Sequence, residues 1–300
     1  MATNAPKPSF TSAVIEAINK LYPKALADSA WDNTGLLLDQ AQDARLTAQT
    51  ENVVLLTNDL SAAVVDEALR VKASVIVSYH PVIFRGLKSL TNAVPMESSL
   101  LRLIAAGVAV YCPHTAVDAA HGGLNDWLCD IVVNGQSKVE STVLQPISRP
   151  LPDGHEGAGY GRSVSLDKPL PLPALLKNLS AGLGGQRYIS IALPTGSTIS
   201  ENEIIPKIAV CAGSGSSVLK GCDAKLLVTG EMSHHDALYH TQSGQIVVTV
   251  FHSNSERQYL TQRLKPKLEQ QLKESGQAEY TVLVSEKDRD PFETIDISQL

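Results

Sequence analysis

Three runs of nearly unbroken apolar residues, each ending in a histidine, constrain this chain more than anything else in it. Ser74-Val75-Ile76-Val77-Ser78-Tyr79 leads into His80. Val108-Ala109-Val110-Tyr111-Cys112-Pro113 leads into His114, and Gln245-Ile246-Val247-Val248-Thr249-Val250-Phe251 leads into His252. Strands with no polar alternation are buried on both faces, which is the habit of parallel sheets covered by helices. The segments between them carry helical periodicity. Ser9 to Tyr22 places Val14, Ile15, Ile18 and Leu21 on one face, Ser61 to Lys72 does so with Val64, Val65, Ala68 and Leu69, and Pro95 to Ala106 and Leu124 to Val133 follow. Strand alternating with helix predicts an α/β fold with mostly parallel sheets flanked by helices.

The region from Gln145 to Gly161 breaks this rhythm with Pro146, Pro150, Pro152, Gly154, Gly157, Gly159 and Gly161, and reads as a loop or domain boundary. From Lys207 the rhythm resumes, and Tyr280 to Val284 reads as a closing strand. The expected arrangement is a host α/β domain built from 1–142 and 241–300, with a second α/β domain, 143–240, inserted in it.

Composition excludes several classes. A net charge of -6 over 300 residues gives no reason to expect direct nucleic-acid binding or adsorption to anionic membranes. No apolar run approaches a membrane span. Met1 to Pro6 has no charged segment followed by an apolar one, so a secretory signal is not expected. The four cysteines, Cys112, Cys129, Cys211 and Cys222, form no CxxC pair. That usage fits a reduced compartment, the cytoplasm with mitochondrion or nucleus as alternatives, and does not suit a thiolate zinc site.

In open α/β sheets, sites form beyond the carboxyl ends of strands. His80, His114, His252 and Asp59 fall there, and His114-x-x-x-Asp118 and His252-x-x-x-Glu256 each follow a histidine with an acid four residues on. Mixed imidazole and carboxylate ligands suit zinc, iron or manganese. A bridging carboxylate would hold two such ions about 3.5–4 Å apart. Each residue also has a plainer reading. Asp59, two before Ser61, suits a helix N-cap, Glu256 suits the positive end of a helix, and a strand-end histidine often only donates a hydrogen bond. Gly213-Ser214-Gly215 reads as a tight strand-to-helix turn or an anion cradle, although neither GxGxxG nor a P-loop is completed.

Six motifs in order then carry a resemblance. They are Trp31-Asp32-Asn33-Thr34-Gly35-Leu36, Ser78-Tyr79-His80-Pro81-Val82-Ile83-Phe84, His114-Thr115-Ala116-Val117-Asp118, Gly122-Gly123-Leu124-Asn125-Asp126, Thr229-Gly230-Glu231-Met232-Ser233-His234-His235 and His252-Ser253-Asn254-Ser255-Glu256. Together they resemble the Nif-three-like family, often labelled GTP cyclohydrolase I type 2 homologues, in its eukaryotic form. The resemblance implies a two-domain α/β fold, homo-oligomers from dimers to toroidal hexamers, and a dinuclear metal centre. Carried over, the ligands are His80, Asp118, His252 and Glu256, with Glu256 bridging. Bacterial members usually have His-His where this chain has Tyr79-His80, so Tyr79 as a phenolate, or water, must complete the second ion. One or two divalent cations per chain are therefore expected. Asp59 and His114 lie where groups that orient substrate or move protons would be.

The resemblance implies metal-dependent hydrolysis of a nucleotide-like or phosphorylated small molecule whose identity the residues do not name. The alternatives are a partner of transcriptional regulators with a structural or vestigial metal, and a metal chaperone or store.

Overall fold

The structure is a computed structural model that describes residues 9–40, 48–135 and 138–299. The N-terminal stretch Met1 to Pro6 lies outside them. In chain order the first elements are α1 (Phe10–Leu21), β1 (Gly35–Leu38), β2 (Glu51–Thr57), α2 (Ala62–Arg70), β3 (Ala73–Ser78), α3 (Pro95–Ala106), β4 (Ala109–Cys112) and α4 (Leu124–Val133). Then come β5 (Lys138–Pro146), β6 (Gly159–Pro171), α5 (Leu172–Gly182), β7 (Ser190–Ala192), β8 (Ile204–Ser214) and β9 (Leu226–Glu231). The last are α6 (His234–Gln242), β10 (Ile246–Thr249), α7 (Lys265–Glu274) and β11 (Thr281–Val284).

The chain divides into two compact units. The first is Met1–Val117 with Leu260–Asp288, and the second is Asp118–Tyr259 with Arg289–Leu300. Both units are discontinuous in sequence. The cuts fall at Val117/Asp118, Tyr259/Leu260 and Asp288/Arg289. His252 and Glu256 thus sit in the second unit with Asp118, while His80 and His114 sit in the first.

The first unit is organised on a five-stranded sheet of order β1-β4-β3-β2-β11. Every pairing is parallel except β1 with β4. All six residues of β3 and all four of β4 are buried, as the apolar runs require. Val53, Leu55, Ile76 and Val110 of the strands pack with Val64, Val65 and Ala68 of α2 and Leu103 of α3. Ser9 caps α1 and Ser61 caps α2, each hydroxyl accepting from an N–H three residues on.

The second unit carries a six-stranded sheet of order β5-β6-β8-β9-β10-β7. It is mixed: β8, β9 and β10 run parallel, while β5/β6, β6/β8 and β10/β7 are antiparallel. The Pro- and Gly-rich region is partly strand. β5 extends to Pro146 and β6 begins at Gly159, so the irregular part is 147–158. Among the described residues no helix is long and apolar enough to cross a membrane.

Candidate functional site

In the first unit, β2 and β3 end side by side. Tyr79 N–H donates to Thr57 O and His80 N–H to Asn58 O, at 2.8 and 2.9 Å, continuing the ladder two residues past the strand. This brings His80 beside Asp59, whose Oδ1 lies 2.9 Å from His80 Nδ1. A carboxylate there accepts a hydrogen bond from Nδ1–H, which favours the tautomer with its lone pair on Nε2, the atom a metal would use. Asp59 therefore orients His80, and the helix cap it was a candidate for is supplied by Ser61.

The turn after β4 carries His114 at φ +33°, a conformation uncommon for a residue with a side chain. Its Nδ1 lies 2.7 Å from Asp32 Oδ1, and the Asp32 side chain is 1% exposed. Thr115 hydroxyl and N–H donate to the other oxygen, and Asn33 N–H donates to Oδ1. Burial alone would raise the Asp32 pKa, but the bond to His114 and its charge, with the Thr115 and Asn33 donors, outweigh it and hold the carboxyl below its ordinary value. Asp32 was legible in the sequence only as turn chemistry, and no spacing rule ties it to a histidine 82 residues away. The rings of Tyr79, His80 and His114 stand against one another with centroids 4.9 to 5.5 Å apart, and Tyr79 is buried.

In the second unit, β10 ends ahead of Phe251, which holds φ +68°, a strained value for a bulky residue. Its ring stacks on Phe292 at 6.2 Å. His252 then opens a 3₁₀ turn, Ser253–Ser255, that delivers Glu256. The helix expected from Arg257 onward is broken into an α turn, Arg257–Tyr259, a π turn, Leu260–Leu264, and α7. His252 stands between two carboxylates: Nδ1 is 3.0 Å from Glu231 Oε1 and Nε2 is 3.4 Å from Glu256 Oε1. Glu231 ends β9, so the Gly230-Glu231 cluster contributes an orienting carboxylate, while Ser233 caps α6.

Two glycines make room for this pair. A Cβ on Gly213, at φ +63°, would come within 2.7 Å of Glu256 Oε1 and 3.1 Å of His252 Nε2. One on Gly230 would come within 2.8 Å of both the His252 Cα and Ser255 Oγ. Gly213 N–H donates to Ser255 Oγ at 2.8 Å, and that hydroxyl donates to His252 O at 2.6 Å. The glycine turn is thus neither an anion cradle nor a bare turn. It is packed against the His252–Glu256 pair.

Asp118 belongs to the same unit. Asn125 ties its loop to β8, with Nδ2 donating to Asp118 O at 3.1 Å and Oδ1 accepting from Ala212 N–H at 2.9 Å. Buried Arg162 holds the following turn through Asp126 and the carbonyls of Ala119 and Ala120. The Cys211 thiol is pushed far up, first by burial and then by the charges of Asp118 and Glu256.

Comparison with known proteins follows the same lines. A family model described as Duf34/NIF3 (NGG1p interacting factor 3) matches residues 11–291. The protein NIF3 homolog of Schizosaccharomyces pombe is 41% identical over 290 residues, covering 96% of this chain and 99% of its own. NGG1-interacting factor 3 of Saccharomyces cerevisiae is 40% identical over 284 residues, 93% of this chain and 95% of its own. Among solved structures, a Bacillus cereus protein related to NIF3 superposes with a TM-score of 0.79 over 97% of this chain and 100% of its own. Its identity is 19%, so the likeness is one of fold. With the six ordered motifs, the family match and the fold in agreement, the chain belongs to the NIF3 family and stands near its eukaryotic homologues.

Proposed function

We propose that this protein is a metal-dependent hydrolase acting on a nucleotide-like or phosphorylated small molecule. The residues that would hold a divalent ion are His80 of the first unit and His252 and Glu256 of the second. Asp118 would add a second carboxylate, and Tyr79 or water would serve a second ion. Nitrogen and oxygen donors of this kind suit zinc, iron or manganese.

The observation that carries this reading is the setting of His252. A neutral imidazole has one N–H and can serve only one of the two carboxylates that flank it. A cation held by His252 Nε2 and Glu256 would satisfy both, while Glu231 accepts a hydrogen bond from Nδ1–H. The absence of a side chain at Gly213 keeps the space beside both groups open.

A bound divalent ion would supply Lewis acidity toward a water and a phosphoryl oxygen. The protein's own groups do the rest. Asp59 fixes the tautomer of His80, and Glu231 fixes that of His252. Asp32 accepts a hydrogen bond from Nδ1–H of His114, which leaves Nε2 with a lone pair for accepting a proton from water and returning it to a leaving group. The active protein is proposed to be a homo-oligomer, dimer or hexamer.

The test is metal analysis of the purified wild type beside Tyr79→His and Glu256→Ala, with a phosphate-ester and nucleotide screen on all three. The reading expects bound metal and turnover in the wild type and loss of both in Glu256→Ala. A wild type that keeps no metal through mild purification refutes it.

A second reading takes its support from the name of the Saccharomyces cerevisiae relative, NGG1-interacting factor 3. In it, the protein binds a transcriptional regulator and the metal is structural. Turnover lost in Asp118→Ala, with the oligomer intact, refutes this alternative.

A further inference from the structure

Trp31 and Phe84 are 52% and 46% exposed, although each is a large aromatic side chain. Their ring centroids are 5.9 Å apart with planes tilted by 40°. Trp31 also meets the His114 ring edge-on at 5.8 Å. Leaving such rings in water forgoes the stabilisation their burial would bring, and a contiguous exposed apolar patch marks a place where something binds.

The pair is held in place by polar contacts. Trp31 Nε1–H donates to Asp28 Oδ2 at 2.9 Å, and Asp28 N–H donates to Thr115 Oγ1 at 3.0 Å, beside His114. The loop of Phe84 is pinned by Asn33 Nδ2, which donates to Ile83 O at 2.5 Å. These bonds spend Asp28 and Asn33, two polar side chains flanking Trp31, on fixing rings that remain exposed. The loop after Phe84 has a charge signature as well. Residues 81–94 contain Arg85 and Lys88 and no acidic residue, in a chain whose net charge is -6. Both cations are exposed.

We infer that Trp31 and Phe84 form a stacking platform for the planar heteroaromatic ring of a phosphorylated ligand, a nucleotide, with Arg85 and Lys88 meeting its phosphate. Base-on-aromatic stacking tolerates different bases because each presents a π face. The edge contact from Trp31 to His114 puts the platform one ring away from the proposed proton-transfer residue. The platform deepens the hydrolase reading and rests on it for what is done to the ligand, but binding of the ligand needs neither metal nor turnover.

The test is equilibrium binding of AMP and of ribose 5-phosphate to the full-length protein, as purified and after EDTA treatment, read by Trp31 fluorescence and by calorimetry. Metal content is measured in parallel. The expected result is preference for AMP over ribose 5-phosphate, with Phe84→Ala weakening AMP by about tenfold while leaving ribose 5-phosphate unchanged. Phe84→Tyr should restore AMP binding, and Arg85→Ala with Lys88→Ala should weaken both ligands. Equal affinity for the two ligands, or AMP binding unchanged in Phe84→Ala, overturns the platform. So does a change of sedimentation mass in Phe84→Ala without an effect on AMP, which would make the aromatic pair an interface between copies. A wild type that keeps no metal through mild purification yet still prefers AMP would sink the hydrolase reading and leave the platform standing.

Discussion

Gly213→Ala separates steric blocking of the His252–Glu256 pair from ordinary backbone strain. Gly213 holds φ +63°, and the added methyl would lie 2.7 Å from Glu256 Oε1 and 3.1 Å from His252 Nε2. The backbone cost of an alanine in this left-handed region is about 1–2 kcal/mol. For a chain of this size that lowers the melting temperature by roughly 2–8 °C. The contact adds a second effect: one or both side chains must give several tenths of an ångström, and Glu256, 2% exposed, has no solvent to retreat into. Displacing groups around a metal ligand by such amounts commonly lowers affinity by about 10- to 100-fold. The control is Gly221→Ala, which also has positive φ, +78°, but meets nothing within 4 Å. In EDTA, Gly221→Ala should lose the backbone part alone, and Gly213→Ala should lose that part and the cost of the contact. Only Gly213→Ala should lose metal, measured by elemental analysis and competitive titration with a chromophoric chelator. Wild-type affinity in Gly213→Ala would refute the placement of a cation beside these two side chains.

Two further outcomes follow from the titrating groups. Asp32 has a depressed pKa in the folded protein, so its contribution to stability is complete above its ordinary value of about 4 and is lost as pH falls through the lower folded value. Asp32→Asn should cost about 1–3 kcal/mol in neutral-pH denaturant unfolding. Its deficit against wild type should shrink on acidification below about pH 4; a constant deficit would refute the pairing. Among the thiols, Cys112, Cys129 and Cys211 are buried and Cys222 is half-buried, and burial raises the pKa of Cys112, Cys211 and Cys222. The native protein should therefore react slowly with Ellman's reagent and at Cys222 first, with all four thiols appearing only in denaturant.

The parts of this architecture that are local in sequence were readable. Strands β3 and β4 are apolar because both faces are covered, and their carboxyl ends carry His80 and His114 because that is where such sheets place polar residues. The closing strand at Thr281–Val284 and the helix Pro95–Ala106 announce themselves in the same way. What escaped was set by long-range contact. β5 is polar enough at Lys138 to Gln145 to pass for a loop, since it lies at the sheet edge and pairs only with β6. Asp59 suits a helix cap by spacing, yet its geometry is decided by His80 on the neighbouring strand. Asp32 looks like a turn residue, and only the fold reveals that it backs His114. The unit boundary at Val117/Asp118 falls inside the run from His114 to Asp118, and no change of composition marks it.

The position of β11 bears on how the protein is made. Val53 to Leu56 of β2 pair with Thr281 to Val284, and until those residues exist β2 is an open edge of an otherwise parallel sheet. On the ribosome, about 225 residues must be added between Leu56 and Thr281, which at ~5–20 residues per second is roughly 10 to 45 seconds. Throughout that interval a nascent chain would present an unpaired, valine- and leucine-rich edge, the kind of surface that recruits other strands. The demand on chaperones should therefore be set by when Thr281 to Val284 are made, and a premature stop just before Thr281 should sharply lower solubility.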